Sequence, residues 1–223
     1  MRYQDERILA SRNFANKLWN ASRFVIMNLQ DENEKFLPLE EGIFEDNFDI
    51  SEMDLKAPDK WMISRLNSLI KNVLDCYEKY DVTDAGRLIQ DFVCDDFSNW
   101  YIRLNKKRIW VSGMSEDKVS AYQTIHEVLA SVALLSAPIA PFFADRLYTD
   151  LMTGKDSVHF ERMPEFKAEL IDTKLEERMA LAQKSCSMVL ALRKKVGINV
   201  KKPLPRLVIP VISDLVQSQL EAV

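Results

Sequence analysis

The chain has 223 residues, enough for one large domain or one domain with an appendage, and its 47% hydrophobic and 29% charged residues exclude a disordered or collagen-like chain. With only 5 Gly and 8 Pro it lacks the turn signal about every ten residues that an all-β sandwich or barrel needs, which leaves long helices. Its 30 Lys and Arg against 34 Asp and Glu give a net charge of −4, so any grip on nucleic acid has to come from a local basic patch.

Between Ile8 and Leu29 the apolar residues Phe14, Leu18, Ala21 and Val25 recur at helical spacing, with Arg12, Asn16, Trp19 or Asn20, and Arg23 on a neighbouring face. Residues 30–58 read as an acidic connecting loop. A second helix is predicted from Asp59, capped by that Asp and carrying Trp61, Ile63, Leu66, Ile70, Val73, Leu74 and Tyr77. Thr83 or Asp84 is expected to cap a third, whose apolar face is Leu88, Ile89, Phe92, Val93, Phe97, Trp100 and Leu104 and which extends to Trp110. A turn at Gly113 precedes a fourth helix opening at Ser115 with Glu116 and Asp117 in its positive first turn. Pro138 and Pro141 predict a kink or restart before Phe142 to Met152. Residues 154–160 read as a loop with a short extended segment. Thr173 and Glu176 form a capping box before a helix of Leu175, Met179, Ala182, Cys186, Val189, Leu190 and Leu192. Beyond Gly197, the β-branched, proline-bounded stretch from Pro203 to Val211 reads as a strand. The expected fold is mainly α, a helical bundle over residues 1–168, with a small α/β C-terminal appendage over residues 169–223.

Chemistry finds few candidates. The isolated glycines make no phosphate loop, and no nucleophile elbow occurs. Three Cys and two His build neither a zinc ribbon nor a disulfide framework, so no metal site is expected and a reducing cytoplasm fits. The charged start Met1 to Arg7 is no signal peptide, and no apolar run of about eighteen residues suggests a membrane span. The way the chain begins and ends predicts a fragment of something larger.

Basic and aromatic residues gather in three places. On the first helix Arg12, Asn13, Asn16, Lys17, Asn20 and Arg23 surround Trp19, a set suited to RNA: cations for phosphates, amides for base edges, a ring for an unpaired base. Trp19 as a core residue is the competing interpretation. On the third, Asn99 and Trp100 precede Arg103, Lys106 and Lys107, whose spacing places them on one face. Near the end, Arg193, Lys194, Lys195, Lys201, Lys202 and Arg206 occur with no acid among them, a pattern suited to phosphate.

The string from Arg12 to Val25 resembles the first helix of the anticodon-binding domain of class I aminoacyl-tRNA synthetases for valine, isoleucine and leucine, and is most similar to valyl enzymes. The segment Asp59 to Asn67 is shared by valyl and isoleucyl families. Ala85 to Val93, Ser98 to Arg108, Ala137 to Phe142, Ser157 to His159, Leu175 to Met179 and Leu192 to Lys195 resemble the isoleucyl family. That resemblance implies a fragment that docks a tRNA anticodon stem and loop, with isoleucine tRNA as partner and neither DNA nor membrane involved. The parent would be an isoleucine-tRNA ligase that uses ATP with magnesium. The fragment lacks HIGH and KMSKS motifs, so it is expected to hold no cofactor, to contain no catalytic residue and to be inactive alone. A monomer in the cytoplasm is expected. The tRNA contacts implied are Arg12, Asn16, Lys17, Trp19, Asn20 and Arg23, then Asn99, Trp100, Arg103, Lys106 and Lys107, with Arg193, Lys194 and Lys195 on phosphates. The valyl counterpart and a helical protein-interaction domain are the alternatives.

Overall fold

The computed structural model describes residues 5–28, 55–111, 115–151, 156–206 and 208, with side chains of the first helix described over 12–24. The expected Gly113 turn, most of the 30–58 loop and the strand residues 207 and 209–211 lie outside the described residues. The strand residues that are described, 203–206 and 208, show no strand. By compactness the chain forms two units, Met1–Ile171 and Asp172–Val223.

The first unit is a helical bundle: α1 (Asp5–Asn28), α2 (Ala57–Glu78), α3 (Val82–Asp91), a π-helical segment (Phe92–Ile102), α4 (Arg103–Trp110), α5 (Glu116–Ser136) and α6 (Pro141–Leu151). Short 3-10 turns follow at Val158–Phe160 and Ala168–Leu170. Central α5 is buried on nearly every side, from Lys118 through Ser136, as a helix enclosed by others must be. The bundle also buries Trp61, Met62 and Leu66 of α2, Phe97 and Tyr101 of the π segment, and Leu18 of α1, all with almost no exposed surface. None of the described helices is long and apolar enough to cross a membrane.

Long-range bonds fix the directions. Lys56 reaches Asp117 at 2.8 Å, and Tyr77 donates from its hydroxyl to the Leu135 carbonyl at 2.6 Å, so α2 and α5 run parallel. Arg65 of α2 grips Asp96 of the π segment, and Arg108 at the end of α4 grips Asp59 at the start of α2, so α3 through α4 runs antiparallel to α2. The starts of α2 and α5 and the end of α4 thus meet at one end of the bundle.

Local details differ from the sequence-based expectations at several helix starts. Asp59 caps nothing: Lys56 holds the cap position of α2 without a side-chain bond, and Asp59 lies in the first turn. The cap of α3 is Asp81, which accepts from the Asp84 amide, rather than Thr83 or Asp84. Asp172 rather than Thr173 caps the last helix, accepting from the Leu175 amide. Ser115 does cap α5, accepting from the Lys118 amide. The proline break produces a restart, α5 ending at Ser136 and α6 opening at Pro141. The expected extended segment near residue 158 is a 3-10 turn instead, because Asp145 accepts from both the Ser157 hydroxyl and the Val158 amide and curls the chain back.

The largest departure is in the third helix. The continuous α-helix expected to Trp110 is interrupted by eleven residues of π-helix. Leu104, expected on the apolar face, is 54% exposed, while Tyr101 is buried in its place. A buried stripe here steps by four, Ala85, Ile89, Val93, Phe97, Tyr101, Asn105 and Ile109, with Phe92 buried beside it. Four residues of α-helix overshoot a full turn by about 40°. The wider π turn, with its i to i+5 bonds, undershoots and returns the stripe to the core.

The second unit is built on α7 (Thr173–Lys195), none of whose residues is buried. Gly197 adopts a φ of 70° just past it, the left-handed conformation that ends helices, and the Ile198 amide closes back on the Arg193 carbonyl at 2.9 Å.

Candidate nucleic-acid interface

On α1 the burial pattern splits the helix into two faces. Leu18, Ala21 and Ser22 are buried, whereas Arg12, Asn13, Asn16, Asn20 and Arg23 are exposed. Trp19 is 39% exposed and so belongs to the outer face rather than the core. Lys17 is half-buried and lies against Cys94 of the π segment. Burial pushes the Cys94 thiol up from its ordinary value, and the Lys17 ammonium acts against it.

On the antiparallel rod, Asn99 is exposed and Trp100 half-buried, both in the π segment. Arg103, Lys106 and Lys107 are exposed on α4. The neighbouring Arg108, equally basic in the sequence, turns inward. Its guanidinium donates to both Asp59 oxygens at 3.0 Å, to the Asn105 side chain at 2.8 Å, and to the Asp117 side chain and carbonyl. Burial works against its charge, but Asp59 and Asp117 outweigh that effect and hold its pKa above the ordinary arginine value. Tyr101 donates to Asp59 at 2.6 Å, and its own pKa is raised first by burial and then by that carboxylate. This inward cluster fixes α4 to α2 and α5, while Arg103, Lys106 and Lys107 stay exposed.

The two basic helices touch through rings. Phe24 of α1 meets Trp110 of α4 with centroids 6.1 Å apart and planes tilted by 54°. Lys106 places its ammonium 4.2 Å from the Trp110 ring centre. Trp110 is 58% exposed and is absent from the contact set expected from sequence. Its signal was the four-residue step from Lys106, which puts both on one helix face.

In the second unit, Lys194 and Lys195 are exposed at the end of α7. Arg193 is engaged with its own chain, donating to the carbonyls of Asn199 and Lys202 at 2.9 Å and of Val200 at 3.4 Å.

An exposed helical face of arginine, asparagine and tryptophan beside a second cationic helix is suited to phosphates and unpaired bases. Comparison with known proteins agrees. The family described as the anticodon-binding domain of tRNA ligase matches residues 59–209. The chain belongs to this family. Among curated relatives, isoleucine-tRNA ligase of Bacteroides fragilis is 50% identical over 188 residues, covering 80% of this chain and 16% of the relative. Those of Methanopyrus kandleri and Clostridium tetani are 38% and 37% identical, over 88% and 90% of this chain and 18% and 19% of theirs. The chain thus corresponds to the anticodon-binding region of isoleucine-tRNA ligases and spans less than a fifth of their length.

Proposed function

We propose that this anticodon-binding domain docks the anticodon stem and loop of isoleucine tRNA as part of a longer ATP-dependent isoleucine-tRNA ligase. The observation that carries the reading is the outer face of α1, where Trp19 stands exposed among Arg12, Asn16, Asn20 and Arg23. Anticodon bases are unpaired and can be splayed apart, so asparagine amides bond their edges and an indole stacks on their faces. Arg103, Lys106 and Lys107 hold the flanking phosphates, fixing register without reading sequence. Arg108 takes no part in the contact; it positions α4. Lys194 and Lys195 add phosphate contacts from the second unit.

The sequence contains neither HIGH nor KMSKS, and the activation of isoleucine with ATP and magnesium is assigned to the rest of the parent enzyme. Binding energy collected here acts on specificity: expressed only with the cognate tRNA, it raises the probability that the acceptor end is presented correctly. The test is a titration of the chain with isoleucine and valine tRNA transcripts at two salt concentrations. Tighter binding of the isoleucine transcript is expected, weakening as salt rises and weakening again when Lys106 and Lys107 are replaced by Ala. Salt-independent affinity that ignores both replacements refutes RNA docking and favours a protein-interaction domain; equal affinity for both transcripts refutes base reading.

A further inference from the structure

We propose that Trp110 is a stacking platform for an unpaired nucleobase, held ready by Lys106, which leaves the indole for a phosphate when RNA arrives. The inference rests on the RNA-docking reading and adds a residue and an exchange of partners to it.

Three observations converge on Trp110. It is more exposed than Trp19, and Trp61 is buried in the core. It is also held in place. Phe24 braces the ring from α1 in a tilted contact, and α4 itself is tied down by Arg108 to Asp59 and Asp117 at the turn below. A large, rigid aromatic that is already ordered loses little freedom on binding. Finally, the ring carries a charge that is easily traded. The Lys106 ammonium lies 4.2 Å from the ring centre, on an exposed side chain one helical turn away. An exposed cation over an indole is held more weakly than a stacked base, and the same ammonium is well placed for the phosphate adjoining that base. In a nucleotide the flat base and the anion are linked, so one ligand satisfies both partners at once. Arg103 and Lys107 on the same helix extend the cationic surface. The ligand class is therefore single-stranded RNA with an unpaired base, rather than duplex.

The experiment uses the whole chain with two probes, an isoleucine tRNA anticodon hairpin and a blunt duplex of its stem. Binding and tryptophan fluorescence are followed for the wild type, Trp110→Leu, Trp110→Phe and Lys106→Gln, with thermal unfolding to establish that each is folded. The hairpin is expected to quench the wild type more than the duplex does. Trp110→Leu should weaken hairpin binding by roughly five- to 100-fold, the equivalent of one stacked base, with little change for the duplex. Trp110→Phe keeps a stacking face, so it should bind the hairpin within about three-fold of wild type while losing the share of the quenching that Trp110 contributes and keeping that of Trp19. Lys106→Gln should keep the quenching and reduce the salt dependence. Should Trp110→Leu fail to fold, the fluorescence of Trp110→Phe decides alone. Full quenching in Trp110→Phe, or undiminished hairpin binding by folded Trp110→Leu, overturns the platform while leaving RNA docking intact. A wild type that binds neither probe in a salt-dependent way overturns the reading beneath it.

Discussion

Asp59 has no exposed surface, and the cost of placing a carboxylate there is offset by the Tyr101 hydroxyl and two nitrogens of Arg108. Removing one member of such a set strands the other. Asp59→Ala is expected to cost about 3 kcal/mol, the lower end for a broken buried pair, because Arg108 keeps Asp117. Arg87→Ala removes an exposed pair with Asp84 and should cost less than about 0.5 kcal/mol. Urea-denaturation midpoints of the two variants check the contrast. The sequence points to Asp59 as a helix cap because capping is a local rule. Its true partners lie 42 and 49 positions away, where no local rule reaches. The same distance hides the inward turn of Arg108, which in sequence is one more cation beside Lys106 and Lys107. By contrast, the outward role of Trp19 follows from its place between Asn16, Asn20 and Arg23, since helical spacing alone puts those four on one face.

Existence and order of the helices were legible because apolar spacing and proline positions are strong local signals. Their fine structure was not. Apolar residues at positions 88, 92, 97, 100 and 104 satisfy an α-helical period, and only packing against the neighbouring α1 and α2 selects the four-residue stripe that the π turn permits. Helix starts show the same limit on a smaller scale. Around α3 several side chains are competent caps, Asp81, Thr83 and Asp84, and the left-handed Tyr80, with φ of 58°, turns the chain so that Asp81 is the one used. Asp81→Ala should therefore lower stability by about 1 kcal/mol, whereas Thr83→Ala, on an exposed first turn, should stay within about 0.5 kcal/mol of wild type. Thermal and urea unfolding of the pair distinguish them; equal losses would place the cap at Thr83.

Across the whole molecule the net charge of −4 conceals a division of labour. Asp59, Asp96 and Asp117 face inward and tie helices together through Arg108, Arg65 and Lys56, while Arg12, Arg23, Arg103, Lys106 and Lys107 face out. The fold therefore depends on protonation at both ends of the pH scale. Asp117 is opposed by its burial, but Lys56 and Arg108 hold it below the ordinary carboxylate range, and Asp145 is held there by the Ser157 hydroxyl and the Val158 amide. Below about pH 4 the unfolded chain takes up protons that these groups refuse in the folded one, so stability falls as pH drops through their lowered values. At the alkaline end burial pushes Tyr77 and Tyr122 from 10.0 up to about 12, and Tyr101 is raised by burial and by Asp59. Between those values the folded chain keeps phenolic protons that the unfolded chain has released, so stability falls as pH rises. Denaturant unfolding across pH should thus give a plateau near neutrality with a loss on each side. Tyr77→Phe should lower the plateau by about 1 kcal/mol through the lost bond to Leu135, make the alkaline loss shallower and leave the acid side unchanged. Tyrosinate absorbance supplies the independent readout: in the wild type a fraction of it should appear only with unfolding, and complete ionisation of all tyrosines near pH 10 in folded protein would contradict the assignment.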